Sequence, residues 1–178
     1  MFNTPDNRQN KWTYLTMDDM ENLERKAKEI GGKLNYPIYV KPANSGSSVG
    51  VSPANNLEEL LMGIKTAFAN DKRVVIEQGI KGREVEVAVM GNSILEAPLV
   101  GEIFSAVEGF YDYESKYTNP ASETVIPADL PEEITNELLE TAKKAFKALD
   151  CTGLSRIDFF VEDGTNLVYL NEINTLPG

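Results

Sequence analysis

The residues best suited to chemistry lie near the end of the chain, on two stretches in which polar and apolar side chains alternate. Arg156 and Asp158 are two positions apart in the first stretch, and Glu172 and Asn174 are two apart in the second. An antiparallel hairpin with its turn centred near Thr165 would place Asp158 opposite Glu172 and Arg156 opposite Asn174. Because side chains alternate along a strand, all four would then share one face of the sheet.

On such a face, two carboxylates and an amide oxygen converge. Hard oxygen ligands of this kind suit magnesium that bridges phosphates, and the guanidinium of Arg156 could stabilise a developing negative charge. The alternative is a solvated face on which Arg156 pairs with a carboxylate. Phe160, Val168 and Leu170 are predicted on the same face, so the carboxylates are expected to border a covered cleft, which favours the metal interpretation.

A candidate phosphate site precedes this hairpin in the chain. Lys41 ends a predicted strand and is followed by a loop of small residues, 42–50, whose backbone N–H groups could point at phosphate oxygens. The glycine spacing and the position of the lysine differ from those of a Walker loop. Such a loop is more often a tight connection, but its combination with Lys41 and the hairpin favours phosphate binding.

Three other segments leave their role open. Glu77-Gln78-Gly79-Ile80 ends an apolar strand and could read an adenine edge or simply end in solvent. Glu84, on the following strand, could hold a ribose hydroxyl or face water. The aromatic and charged stretch 109–117 lacks a helix or strand period, and is either a surface loop or a lid that brings Lys116 to a reacting phosphate.

Helix and strand periodicities alternate along the chain and predict a mixed fold without repeats. The predicted helices run from Thr16 to Ile30, from Asn56 to about Asn70, and from about Pro131 to Leu149. The predicted strands cover residues 38–41, 74–77, 83–89, 154–161 and 167–173. The chain ends at Gly178 without a capping element, so we expect a fragment of a longer protein.

Composition excludes several function classes. The 178 residues include 17 Lys plus Arg, 28 Asp plus Glu and no His, with a net charge of −11. Without His there is no Ser-His-Asp or Cys-His catalysis and no His-ligated metal. The single Cys151 excludes an internal disulfide and indicates a reducing compartment. The negative charge argues against nucleic acid, and the absence of a signal or membrane-spanning segment predicts a soluble, cytoplasmic protein.

Five motifs occur in a fixed order. They are Tyr39-Val40-Lys41-Pro42 through Gly46-Ser47-Ser48-Val49-Gly50, Val75-Ile76-Glu77, Tyr111-Asp112-Tyr113-Glu114-Ser115-Lys116-Tyr117, Ser155-Arg156-Ile157-Asp158, and Asn171-Glu172-Ile173-Asn174-Thr175-Leu176-Pro177-Gly178. Together they resemble the D-alanine–D-alanine ligase family of the ATP-grasp superfamily, from about Trp12 to the end of the chain.

The resemblance implies an α+β fold of the ATP-grasp type, with two α+β subdomains and the nucleotide between them. After an unassigned tail at residues 1–11, the smaller subdomain with the glycine loop would cover residues 12–78. The larger, truncated subdomain with the metal-binding hairpin would cover residues 79–178.

The implied activity is ATP-dependent ligation of two D-alanines for peptidoglycan precursor synthesis. ATP phosphorylates the carboxylate of the first D-alanine, and the amine of the second attacks the acyl phosphate, releasing ADP and phosphate. The expected partners are the small molecules D-alanine and ATP with two Mg²⁺ (or Mn²⁺) ions, and neither nucleic acid nor a membrane. A homodimer of the full-length enzyme is left open.

The resemblance also implies a role for individual residues. ATP contacts fall on Lys41 and Ser48 for the phosphates, Glu77, Gln78 and Ile80 for adenine, Glu84 for ribose, and Lys116 for the transferred phosphate. The two metal ions would be held by Asp158, Glu172 and Asn174. Arg156 and the backbone of Gly178 would stabilise the tetrahedral intermediate, and Ser47 and Tyr117 would belong to the polar network around the substrates.

The chain departs from the family pattern in several places. The family usually has Lys where this chain has Gln78, and the family's N-terminal domain, a first phosphate-binding lysine and the segment after Gly178 have no counterpart. We therefore expect this chain to bind nucleotide better than it catalyses. The alternatives are a D-alanine–D-serine ligase of the resistance type, a catalytically incompetent ATP-binding module, and an ATP-grasp enzyme with another acid and nucleophile. Tyr117 favours an amine as second substrate.

Overall fold

A computed structural model describes residues 8–45, 49–105 and 122–177 of the chain. These residues form two compact units. The N-terminal unit lies within residues 10–79, and the C-terminal unit comprises residues 80–104 and 122–177 together with the short strand β1 (Arg8–Gln9). Each unit has its own sheet and its own hydrophobic core.

The N-terminal unit is built on a four-stranded antiparallel sheet. Its strands are β2 (Trp12–Thr16), β3 (Ile38–Pro42), β4 (Ser52–Ala54) and β5 (Arg73–Gln78), in the spatial order β2-β5-β3-β4. Its helices are α1 (Leu23–Gly31), which follows a 3-10 helix (Met17–Asn22), and α2 (Leu57–Asn70). Alternate residues of β3 and β5 are buried in the core, so the other residues of these strands lie on the opposite face of the sheet.

The local start signals of these helices act as the sequence predicts, with one difference. The backbone N–H of Thr16 donates to Asp19 Oδ2 at 2.9 Å, and the side chain of Asn56 accepts from the backbone N–H of Glu59 at 3.0 Å. After Thr16, however, the chain first forms the 3-10 helix and only then the α-helix, so the single helix predicted over residues 16–30 is two consecutive segments.

The C-terminal unit is built on a seven-stranded sheet within the described residues. After β1, its strands are β6 (Gly82–Gly91), β7 (Leu95–Glu96), β8 (Val100–Ser105), β9 (Ser122–Val125), β10 (Gly153–Glu162) and β11 (Val168–Asn174). The spatial order is β1-β11-β10-β6-β8-β9, with β7 paired to β6. Helix α3 (Glu132–Ala148) packs on one face of this sheet.

The two faces of the C-terminal sheet differ in character. The face under α3 is the core face, where Ile157 and Phe159 of β10 and Val87 of β6 are buried against Phe146 of the helix. The opposite face, called the open face below, carries polar side chains in its centre. It comprises Glu84, Glu86, Ala88 and Met90 of β6, Leu154, Arg156, Asp158 and Phe160 of β10, and Glu172 and Asn174 of β11.

The predicted pairing of the last two strands is confirmed at its functional end. Arg156 lies opposite Asn174 and Asp158 lies opposite Glu172 in the antiparallel ladder of β10 and β11. The four side chains therefore start from the same face of the sheet, as the alternation along a strand requires.

Nearer the turn, the predicted pairing is wrong by one residue. Phe159 lies opposite Leu170, which makes Asn171 an extra residue on β11, a β-bulge. One inserted residue turns the rest of a strand to the other face. Val168 and Leu170 therefore pack in the core, and the prediction that they share the face of the carboxylates is wrong.

Within the part of the chain that the structure describes, none of the helices combines the length and the apolar content needed to span a bilayer.

Candidate functional site

The centre of the open face is a bidentate ion pair between Arg156 and Asp158. Arg156 Nε donates to Asp158 Oδ1 at 2.7 Å, and Nη2 donates to Oδ2 at 2.8 Å. The side-chain amide of Asn174 donates to the same Oδ2 at 2.9 Å. Because a bidentate guanidinium–carboxylate pair fixes both groups in one plane, the polar groups of Arg156, Asp158 and Asn174 are held in a defined geometry.

The charge of Arg156 is stabilised by this arrangement. The hydrogen bonds that Arg156 donates to Asp158 raise the pKa of the guanidinium, against the effect of its partial burial, and the negative charges of Asp158, Glu86 and Glu172 raise it further. The group is therefore a permanent cation at any physiological pH, and it is suited to meet negative charge rather than to transfer protons.

The structure adds a carboxylate that the sequence analysis did not single out. Glu86 on β6 lies directly opposite Asp158 on β10, and its Oε2 is 3.1 Å from Arg156 Nε. Burial raises the pKa of the Glu86 carboxyl, the charge of Arg156 opposes this, and the charge of Asp158 adds to it. The alternation along β6 already placed Glu86 on the face of Glu84, but the pairing of β6 with β10 is not readable from local pattern.

The predicted metal ligands Asp158, Glu172 and Asn174 lie together on adjacent strands. Glu172 is exposed, whereas the Asp158 side chain is only 16% exposed. Among the described residues, no three Asp, Glu, Cys or His side chains already form a closed metal cage. The donor set nevertheless fits magnesium, because this ion is usually held by one or two carboxylates and completes its shell with water and phosphate oxygens.

The N-terminal unit contributes a second charged pair. Lys41 Nζ is 2.9 Å from Glu77 Oε2, and the two side chains are 24% and 21% exposed. Both residues lie on the face of the sheet that is opposite to the core, with Glu77 paired to Tyr39 and Lys41 paired to Val75 in the β3–β5 ladder. The predicted phosphate and adenine residues of this unit are therefore in contact with each other.

The two ends of the glycine loop are fixed by identifiable contacts. The backbone and side-chain amides of Asn44 both donate to Asp71 Oδ2, at 2.7 and 2.9 Å, and the backbone hydrogen bond of Asn44 lowers the pKa of that carboxyl. At the other end, Gly50 has φ +75° and packs so closely that an added Cβ would lie 2.9 Å from Pro42 Cγ and 3.0 Å from Asn70 Nδ2. The loop therefore leaves and re-enters the unit at fixed points.

Gly50→Ala is expected to lower the affinity for a non-hydrolysable ATP analogue by about three- to fivefold. The left-handed backbone at this position costs a non-glycine residue about 1–2 kcal/mol, and the loop must shift to relieve the contact with Pro42. Calorimetric titration gives the affinity. The matched control is Gly164→Ala, whose φ is +77° with nothing within 4 Å of the added Cβ. A control with an equal loss of affinity would contradict a role for the loop.

The remaining predicted nucleotide residues are placed as follows. Gln78 Oε1 accepts from the backbone N–H of Asn35 at 3.1 Å, and the backbone carbonyl of Gln78 accepts from the side chain of Asn10. The Gln78 side chain therefore has a hydrogen-bond partner, Asn35, within its own unit. Ile80 is half-buried in the segment between β5 and β6. Glu84 lies on the open face, opposite Phe160 of β10 and Ile103 of β8.

Five predicted site residues lie outside the described residues. They are Ser47, Ser48, Lys116, Tyr117 and Gly178. The stretch 109–117, predicted as a surface loop or a lid, lies outside them as well.

Comparison with known proteins identifies close relatives. The family model described as "D-ala D-ala ligase C-terminus" matches residues 2–178. D-alanine–D-alanine ligase B of Clostridium tetani is 51% identical over 168 residues, which is 93% of this chain and 46% of the relative. The D-alanine–D-alanine ligase of Acetivibrio thermocellus is 52% identical over 160 residues, 90% of this chain and 42% of the relative. The chain thus spans about half the length of the curated relatives it matches.

Solved structures agree with this result. The VanG D-Ala:D-Ser ligase of Enterococcus faecalis has a TM-score of 0.82 and 35% identity, with 97% of this chain and 49% of that chain covered. The D-alanyl-alanine synthetase A of Vibrio cholerae has a TM-score of 0.82 and 34% identity, with 97% and 52% covered. The predicted α+β fold of the ATP-grasp type is confirmed.

Proposed function

Because the chain belongs to the D-alanine–D-alanine ligase family and matches its C-terminal part, we propose that the whole protein joins two D-alanines with ATP and that this chain supplies the binding of nucleotide and metal. The product is the dipeptide used for peptidoglycan precursors. The observation that carries the proposal is the family match over residues 2–178, in which the Arg156, Asp158 and Asn174 side chains form one hydrogen-bonded cluster. The cytoplasm, where ATP is available, is the proposed compartment.

The proposed division of the chain is a smaller ATP-grasp subdomain at residues 12–78 and a larger one at residues 79–178, after an unassigned tail at residues 1–11. Residues proposed to contact ATP lie in both. Lys41, Glu77 and Gln78 belong to the first, and Ile80 and Glu84 belong to the second.

Asp158, Glu172 and Asn174 are the proposed ligands of two Mg²⁺ ions, which Mn²⁺ can replace. When bound, the metal neutralises the charge of the ATP phosphates and orients them for transfer. The Asp158 side chain is only 16% exposed and its carboxylate is aligned by Arg156 and Asn174, whereas Glu172 is exposed on the neighbouring strand. Asp158 therefore has the more fixed geometry of the two carboxylates.

Lys41 and Glu77 are proposed to exchange partners when ATP binds. In the structure they form an ion pair, with Lys41 Nζ 2.9 Å from Glu77 Oε2. A phosphate oxygen offers Lys41 a charged acceptor, and the released Glu77 carboxylate can then accept from the adenine amino group. Ser48 and Lys116 are the proposed further contacts to the phosphates.

Arg156 is the proposed electrostatic catalyst. In the first step, a carboxylate oxygen of one D-alanine bonds to the γ-phosphorus of ATP while the bond from that phosphorus to the ADP oxygen breaks. In the second, the amine nitrogen of the other D-alanine bonds to the carbonyl carbon, loses a proton, and phosphate leaves. Both steps concentrate negative charge on oxygen, which the permanently charged guanidinium stabilises. The backbone of Gly178 and the side chains of Ser47 and Tyr117 complete the proposed substrate site.

A second candidate differs only in the acceptor. The D-Ala:D-Ser ligase structure is as similar to this chain, by TM-score, as the synthetase from Vibrio cholerae. D-serine in place of the second D-alanine is therefore the alternative that the comparisons favour, and it would leave the roles of Arg156 and Asp158 unchanged.

The first test is calorimetric titration of the 178-residue chain with a non-hydrolysable ATP analogue, with and without Mg²⁺. Binding that depends on magnesium is expected, and a folded chain that binds no nucleotide would contradict the proposal. The second test measures phosphate release by the chain extended at both ends to the length of its relatives. Release with ATP and D-alanine alone is expected. Release that requires D-serine supports the second candidate, and no release at all leaves only nucleotide binding.

A further inference from the structure

Asp158 is the proposed metal ligand with the more fixed geometry, yet its oxygens are already engaged. Oδ2 accepts from Arg156 Nη2 and from Asn174, and Oδ1 accepts from Arg156 Nε. A carboxylate oxygen has about two lone-pair sites, so Oδ2 is fully used by hydrogen-bond donors. A cation that binds Oδ2 must displace Arg156 Nη2 or Asn174 from it, and one that binds Oδ1 competes with Arg156 Nε for that oxygen.

Glu86 is placed to accept Arg156 when this happens. It lies opposite Asp158 in the β6–β10 ladder, and Arg156 lies opposite Ala88, so Glu86 and Arg156 are diagonal neighbours on the open face. Its Oε2 is 3.1 Å from Arg156 Nε, the nitrogen that now donates to Asp158 Oδ1 at 2.7 Å. A small rotation of the guanidinium would turn this N–H from one carboxylate to the other.

The absence of a side chain at Gly101 makes room for the Glu86 side chain. Glu86 lies opposite Gly101 of β8, and a Cβ added at Gly101 would lie 3.4 Å from Glu86 Cγ and 3.7 Å from Oε1. The same added atom would lie 3.3 Å from Ile126 Cγ1. The missing side chain of Gly101 thus leaves the space in which Glu86 lies, with Oε2 turned toward Arg156.

We propose that Glu86 is a positioning residue for Arg156. When the carboxylate of Asp158 coordinates a divalent cation, Glu86 accepts the hydrogen bond from Arg156 Nε and so holds the guanidinium on the open face. Nη1 and Nη2 are then available for the charge that develops on the substrate. The change of partner of Arg156 on metal binding rests on the proposed function. The contact between Glu86 and Arg156 can be tested without any ligand.

The ligand-free test uses Asp158→Ala, which removes the competing carboxylate. In nitrogen-15 spectra of the chain, the Nε–Hε signal of Arg156, assigned by its loss in Arg156→Met, is expected to persist in Asp158→Ala because Glu86 accepts from Nε. It is expected to exchange with water about tenfold faster in the double variant with Glu86→Gln, where a charged acceptor is lost. Equal exchange in the two variants would overturn the proposal. Unchanged backbone spectra show that both variants are folded.

The second test is a double-mutant cycle on the magnesium-dependent affinity for the ATP analogue. Glu86→Gln is expected to weaken this affinity about three- to tenfold in the wild-type background, because Arg156 then keeps its hold on Asp158. In the Arg156→Met background the same change is expected to have only a small effect, that of removing one negative charge beside Asp158. Glu96→Gln, at an exposed glutamate on β7 of the same unit, measures the part of this effect that any lost charge on the unit would give.

The outcomes separate the positioning role from the proposed function. An equal loss in both backgrounds means that Glu86 acts only through its charge, and it would overturn the positioning role. If the wild-type chain binds no nucleotide with magnesium, the proposed function fails, and the exchange of the Arg156 Nε–Hε signal still decides whether Glu86 holds Arg156.

Discussion

Asp158→Asn is expected to lower the magnesium-dependent affinity for a non-hydrolysable ATP analogue by about tenfold or more, since the loss of outer-shell partners alone costs metal sites tenfold to a hundredfold. The change removes one negative charge from the metal site and replaces an acceptor oxygen by an amide nitrogen, which donates and cannot coordinate a cation. It also breaks the bidentate pair with Arg156. The affinity without magnesium is expected to change little, because Asp158 does not contact the nucleotide in the proposed arrangement.

The matched control is Asp163→Asn. Asp163 is an exposed residue of the same hairpin, at the turn between β10 and β11, so the change removes the same charge at a distance from the proposed ligands. Calorimetry with and without Mg²⁺ separates the metal-dependent part of binding in each variant. Circular dichroism and thermal unfolding check that the fold is retained, as expected for a side chain on the open face.

Glu172→Gln serves as the companion variant. Glu172 lies opposite Asp158, and it is exposed. Glu172→Gln is therefore also expected to lower the magnesium-dependent affinity for the ATP analogue, but by a smaller factor than Asp158→Asn. If both variants keep the wild-type affinity and its dependence on magnesium, the assignment of the metal to this hairpin is wrong.

The hairpin shows why part of this site could be predicted from sequence. A short turn fixes which residues face each other, and alternation fixes the face, so the pairs Arg156–Asn174 and Asp158–Glu172 followed from counting. Counting failed where the chain inserts Asn171, because a bulge leaves no clear signature in an alternating pattern. The face of Val168 and Leu170 was therefore predicted wrongly although the functional end was right.

The partners of Glu86 could not be predicted from the local sequence pattern. Its strand was predicted within two residues of its bounds at each end, and its face follows from alternation. Its partners belong to β10, which is distant in sequence, and nothing in the local pattern says which strands pair or in which register. The contact of Lys41 with Glu77 joins β3 and β5 in the same way. The roles of Ser47, Ser48, Lys116, Tyr117 and Gly178 stay predictions.

Phe146→Ala is expected to destabilise the C-terminal unit by about 3–5 kcal/mol, the usual cost of emptying a buried aromatic site. Phe146 is 1% exposed and lies on the apolar stripe of α3, where it packs on the core face of the sheet with Phe159 and Ile157. Domain stabilities are about 5–15 kcal/mol, so the loss removes a large share of the total. Leu149→Ala, at an exposed residue after the helix, is the control, with an expected change within about 0.5 kcal/mol.

Hydrogen exchange shows where this loss falls. The core residues of the C-terminal unit and those of the N-terminal unit form separate clusters, and Phe146 belongs only to the first. Amides of β6 and β10 are therefore expected to lose protection in Phe146→Ala, while amides of β3 and β5 keep theirs, because each cooperative unit opens with its own free energy. If the amides of β3 and β5 lose protection by the same factor, the two cores unfold together, and a single free energy of unfolding describes both.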